Sequence, residues 1–131
     1  MNNHPVYSHD RKGDILYISF SPGEKEKTAV KLTYDILLRF NRAEKRAIGI
    51  TILNYSDMIK DTERRQQNNY IPLNGLDDLE PDWQDAVIET LKRPPANYEV
   101  KFYDDVMMGQ CVHFKHFDSF FVQEKPQRMA A

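Results

Sequence analysis

Cys111, His113 and His116 form the one cluster in the chain whose residue types and spacing suggest a transition metal. On a strand, successive side chains alternate between faces, so Cys111 and His113 share one side while His116 takes the other. Asp104, Asp105 and Asp118 lie close in sequence, yet the set matches no common zinc framework. The preferred reading is a strand with a buried cysteine and surface histidines, no metal site and no cofactor. The purified protein is expected to retain no stoichiometric transition metal.

A second set is His9, Asp10 and Asp14, with the two acids flanking Arg11-Lys12-Gly13. Paired carboxylates beside an imidazole can act as general acid and base or hold a divalent ion, the chemistry of a small metal-dependent hydrolase. The same acids can instead sit in a turn and at a strand start, accepting nearby backbone N–H groups. The turn reading is the simpler, and His9, Asp10 and Asp14 stand as the alternative acidic site.

Arg39, Arg42, Lys45 and Arg46 fall on or beside one hairpin, with Lys60, Arg64 and Arg65 farther on. Such a patch can contact phosphates. Glu44, Asp61 and Glu63 interrupt it, and no stacking aromatics accompany it, so a solvated surface is preferred over nucleic-acid binding. Phe114, Phe117, Phe120 and Phe121 gather aromatics near the C-terminus and mark a protein contact wherever they are exposed. The acids Asp77, Asp78 and Glu80, ahead of a helix bearing Asp82, Asp85 and Glu89, are an ordinary charged face. No glycine-rich phosphate loop and no nucleophile elbow is present.

These residues need a scaffold. A chain of 131 residues fits a single domain, read as spanning 1–131, and can bury a core without disulfide staples. With one cysteine, Cys111, no intramolecular disulfide forms, as suits a reducing compartment. The segment Met1 to Asp10 is polar, contains Pro5 and lacks the basic-then-apolar profile of a signal peptide; no apolar run is long enough to span a membrane. A cytoplasmic location is expected. The net charge of -2 gives no general attraction to nucleic acid or anionic membrane.

Period-two alternation marks strands at Asp14 to Phe20, Asp35 to Phe40 and Ala47 to Leu53. It places Leu16, Ile18 and Phe20, then Ile36, Leu38 and Phe40, then Ile48, Ile50 and Ile52 on the covered face. Further strands are expected at Lys27 to Leu32 and Pro5 to His9, giving an antiparallel meander. A short helix through Ile59, capped by Asn54 or Ser56, precedes a polar connector over residues 61–70. The best-specified helix runs from Pro81 to Lys92: proline suits the first turn, early acids and late Lys92-Arg93 complement the dipole, and Pro94-Pro95 ends it. Trp83, Val87 and Leu91 line its apolar side, and Trp83→Ala is expected to cost about 3–5 kcal/mol if the ring is fully buried. Two C-terminal strands follow at Tyr98 to Tyr103 and Cys111 to Phe117. The expected class is α+β, a small antiparallel sheet covered by one or two helices.

Three stretches carry a resemblance: His9-Asp10…Asp14-Ile15-Leu16-Tyr17-Ile18, then Ile36-Leu37-Leu38-Arg39-Phe40, then Ile48-Gly49-Ile50-Thr51-Ile52-Leu53…Ser56. Over about residues 6–60 the chain resembles the small bacterial family called domain of unknown function 2283. Its members read Tyr-Asp, a spaced Asp, Leu-Tyr-Ile, then a hairpin closing on Gly-Ile-Glu-Ile-Leu and a Ser. His9 stands where that family has Tyr, Arg39 where Asp is common and Thr51 where Glu is common, so any function of those acids is absent here. Ile71-Pro72-Leu73-Asn74-Gly75-Leu76 and the helix ending at Pro94-Pro95 resemble longer members. The resemblance implies a small sheet with helix cover and no settled chemistry; some members are associated with toxin–antitoxin pairs.

With no catalytic motif preferred over its structural reading, the sequence points to a non-catalytic protein-binding or regulatory module. The expected partner is another protein or a second copy, met first through the aromatic stretch Phe114 to Phe121 and second through a free edge of the first-half sheet.

Overall fold

The alternation becomes an open five-stranded sheet in the computed structural model, which describes residues 5–25, 28–65, 70–107 and 109–115. Its strands are β1 (Val6–Asp10), β2 (Ile15–Ser19), β3 (Thr28–Thr33), β4 (Ile36–Asn41) and β5 (Arg46–Leu53). Helix α1 (Tyr55–Arg65) leads to β6 (Tyr70–Pro72), a 3-10 turn (Asn74–Asp78) and α2 (Pro81–Lys92). A second 3-10 turn (Ala96–Tyr98) precedes β7 (Val100–Asp105) and β8 (Gly109–Phe114). The last two strands join β6 in a separate antiparallel sheet, ordered β6-β8-β7. The class is α+β, with two antiparallel sheets.

The larger sheet departs from a simple succession, because its order is β1-β2-β5-β4-β3. β3, β4 and β5 are joined as consecutive hairpins, and β2 returns beside β5, which is Greek-key connectivity. Its inner face carries Leu16, Ile18, Val30, Leu32, Ile36, Leu38, Phe40, Ile50 and Ile52, all buried. Tyr55 and Ile59 of α1, Leu73 and Leu76, Val87 and Leu91 of α2, and Val100, Val112 and Phe114 of the smaller sheet close over it as one apolar cluster.

One phase error in the sequence reading has a local cause. Arg39 pairs with Gly49, but the next residue, Phe40, pairs with Ala47, so β5 carries a one-residue bulge at Ile48. Ala47 thereby joins Phe40 in the core, while Ile48, expected to line up with Ile50 and Ile52, is buried outside that cluster.

Other departures are smaller. α1 reaches Arg65, past Ile59 and into the stretch read as connector. Tyr98 belongs to a 3-10 turn rather than to β7. Trp83 is half-buried, its ring edge-on to Phe40 at 6.5 Å and covered by the Arg42 guanidinium at 4.1 Å, so the condition for the full truncation cost is not met. The fully buried positions of α2 are Ala86, Val87, Thr90 and Leu91, with the Thr90 hydroxyl donating to the Ala86 carbonyl at 2.7 Å.

The two edges of the larger sheet differ. The Asn74–Asp78 turn lies against β3, where the Thr33 hydroxyl donates to Asn74 Oδ1 at 2.8 Å. Gly75 is in such close approach that a Cβ there would stand 2.3 Å from the Lys31 carbonyl oxygen. Among the described residues no strand pairs with the outer side of β1. Gly75→Ala should therefore push the turn off β3 and lower stability by about 1–3 kcal/mol in chemical denaturation, the range for forced overpacking. An unchanged midpoint would show that this turn does not seal the edge.

Candidate functional site

The sequence singled out His9, Asp10 and Asp14, and the register of the larger sheet decides where they go. Ile15 of β2 faces Leu53 of β5, so Asp14, just before β2, meets the start of α1, just after β5. Asp14 has a left-handed backbone, with φ 57°, in the turn that follows β1. Its carbonyl accepts the Tyr55 N–H at 3.1 Å. Its carboxylate accepts the Ser56 N–H at 3.2 and 3.1 Å on its two oxygens and the Ser56 hydroxyl at 2.8 Å.

A helix leaves its first N–H groups without intrahelical partners, and an acid near them also meets the positive end of the dipole. Asp14 thus caps α1 from 42 residues away. Asn54, one of the two expected caps, has φ 51° and turns its amide to Asp35 Oδ1 at 3.3 Å instead. Ser56 is not the cap; it is the group being capped.

His9 completes the cluster. Its Nε2 lies 3.3 Å from Asp14 Oδ1, and its ring stands edge-on to Tyr55 at 5.2 Å. An ionised carboxylate only accepts, so Nε2 carries the hydrogen in this bond. Partial burial works to raise the Asp14 pKa, but the Ser56 hydroxyl and N–H and the His9 ring outweigh it and hold the carboxyl below its ordinary value.

Serine, aspartate and histidine are all present, yet the connection is wrong for nucleophilic catalysis. The aspartate stands between the other two, and the serine hydroxyl donates to it rather than to the imidazole that would have to take its proton. Asp10 is employed locally, its Oδ1 accepting the Gly13 N–H at 3.2 Å. The turn reading is thus right for Asp10, while Asp14 works across the fold.

Beside this cluster lies a polar pair that the sequence did not reveal. Glu99 is only 1% exposed, and the Tyr7 hydroxyl of β1 donates to its Oε1. Burial first, then the bond to Glu99, pushes the Tyr7 pKa far up, so the phenol keeps its proton and remains a donor. Strand alternation would set Glu99 outward with Lys101. Its backbone is helical instead, at the end of the Ala96–Tyr98 turn, and this turns the carboxylate inward.

The remaining candidates separate. Phe114 is 1% exposed and belongs to the core, which removes it as a protein contact. Phe117, Phe120, Phe121 and His116 lie outside the described residues. Cys111 and His113 do share a face, with Cys111 buried and His113 tilted against Tyr70 at 5.3 Å. Burial, with Asp105 and Asp104 nearby, raises the Cys111 pKa, the opposite of a reactive thiolate. Among the described residues no three His, Cys, Asp or Glu side chains gather in a metal-binding arrangement.

Of the hairpin cations, Arg42 bonds Asp82 at 2.9 Å, and Arg46 bonds both oxygens of Glu24 at 2.8 Å and Glu44 at 2.7 Å. The groove of about 590 Å³ at this corner is lined by Arg42, Lys45, Asp82 and Asp85 over Ala43 and Ala86, with the charges of its walls in balance.

Asp14→Ala should cost about 0.5–2 kcal/mol, the usual loss for an N-cap, and should speed amide exchange in the first turn of α1. Because the folded-state pKa is lowered, the stability from ionised Asp14 is present above the ordinary carboxylate value, about 3.9. It is lost as pH falls through the lowered folded value. Asp14→Asn should flatten that part of an acid titration of stability, and an unaltered titration would contradict the assignment. Tyr7→Phe, which takes one donor from a buried carboxylate, should lower stability by about 1–3 kcal/mol in urea unfolding.

Comparison of the chain with protein-family models, with curated proteins and with solved structures gives no match in any of the three.

Proposed function

We propose that this protein is a non-catalytic binding module that works by association through the free edge of its larger sheet. The observation that carries this reading is the asymmetry of that sheet: the Asn74–Asp78 turn lies against β3, while β1 ends the sheet with no further strand among the described residues. An uncovered edge presents unpaired N–H and C=O groups to which another strand can add. Beside it, Val6 is 49% exposed and Tyr17 of β2 is also exposed, which offers apolar contact next to the backbone ladder.

The hydrolase alternative is weakened by the same geometry, since the acceptor positions of Asp14 are taken by α1 and His9 and those of Asp10 include its own turn. The resemblance to the domain of unknown function 2283 family enters as part of the proposal. Asp14 and Ser56, which both belong to the shared pattern, bond each other, giving a physical reason for an Asp and a Ser to recur together. A regulatory, antitoxin-like role is the setting that this resemblance suggests.

The simplest occupant of the edge is a second copy, because two-fold pairing covers both edges with one surface. Sedimentation equilibrium over a wide concentration range should show a dimer that Val6→Lys/Ser8→Lys dissociates, both positions being exposed. A strict monomer at high micromolar concentration, with no protein partner recovered by affinity capture from cells, would remove this reading and promote the enzyme.

A further inference from the structure

At the far end of the smaller sheet, β7 runs into Val106 and Met107, which are 100% and 90% exposed. Adjacent large apolar side chains this exposed are unlike the single exposed residues that every surface shows. Local bonding sets the turn that presents them: the Met107 N–H donates to the Asp105 carboxylate at 2.6 Å. Gly109, where pairing with β7 resumes, has φ 73°, a conformation that favours glycine. The Asp105 bond and the Asp105–Gly109 pair thus hold the turn at its base, with Val106 and Met107 outward.

The charges around the turn define what it fits. Asp104 and Asp105 are exposed at the end of β7, directly before Val106. They oppose approach to an anionic lipid surface, where basic residues would be needed beside the apolar ones. A protein surface with an apolar cleft and a cationic rim meets both features at once. We propose that Val106 and Met107 form a docking knob for a protein partner whose apolar pocket is bordered by lysine or arginine. Met107 suits this role because its unbranched side chain adapts to the pocket it enters. The knob is separate from β1, so its occupant can bind whether or not that edge is paired.

Site-specific photo-cross-linking tests this in the full chain. Benzoylphenylalanine placed at position 107 and irradiated in lysate of the native cells should give a saturable cross-link, competed by unlabelled protein. Peptide mapping should place it on an apolar segment flanked by Lys or Arg. The yield at limiting concentration should fall about tenfold in Val106→Ser, the loss expected for one buried valine side chain. It should fall in Asp104→Lys/Asp105→Asn too, where the asparagine keeps the turn acceptor while the negative charge is removed. Both variants should melt as the unaltered chain does, and Val6→Lys/Ser8→Lys should leave the cross-link intact, which separates this knob from the sheet edge. A cross-link confined to lipid or to a second copy, one on a segment without cations, one indifferent to the charge change, or none would overturn the proposal.

Discussion

The pairing of β2 with β5 is the contact on which the larger sheet and its neighbours depend. It joins the β1–β2 hairpin to the three strands β3, β4 and β5, which otherwise follow one another locally. Its register sets Leu16 opposite Ile52 and Ile18 opposite Ile50, so the inner faces of both parts coincide. A slip of one residue would turn Leu16 and Ile18 to solvent. It would also carry Asp14 away from the start of α1, because the acid and the helix lie just beyond the Ile15–Leu53 pair. Core and helix cap therefore specify the same alignment, the kind of agreement between levels that favours a single fold.

A second polar constraint ties the two sheets together. Tyr7 belongs to the edge strand of the larger sheet, and Glu99 sits at the entry to β7. The Glu99 backbone also accepts the N–H of Lys115 at 2.8 Å, which continues the β7–β8 ladder by one bond. The buried carboxylate thus lies where β1 meets the smaller sheet. A charge in that position is costly unless hydrogen-bonded, so the Tyr7 hydroxyl fixes more than its own side chain.

What was legible in the sequence was local. Alternation of apolar residues located β2, β4 and β5 of the larger sheet, and Pro81, the early acids and Pro94-Pro95 located α2, because those signals lie within a few residues. What escaped depends on distant partners. Nothing in Asn41 to Leu53 announces the bulge at Ile48, which follows from how Phe40 and Ala47 meet. The polar stretch after Ile59 is helical although it has no apolar periodicity of its own. Asp14 was read within its own turn, since its real partner lies in another element. Glu99 falls inside the stretch expected as a strand, but its backbone is helical. Val106 and Met107 sit in a run that continues into Gly109, and sequence alone does not tell an exposed turn from a buried one.

Gly75 against the Lys31 carbonyl has a consequence for how far any assembly of this chain can grow. A sheet with two open edges has a valence of two and can propagate into a fibre, one molecule adding to the next. Here the close approach of the Asn74–Asp78 turn obstructs one side, and among the described residues no strand pairs with the outer side of β1. On the proposed reading, strand addition at the larger sheet would be self-terminating: the first molecule to join would use up the acceptor, and the composite would end at β3 on each flank. A residue with no side chain, by letting one turn settle onto a backbone, would on that reading limit the assembly to a fixed stoichiometry.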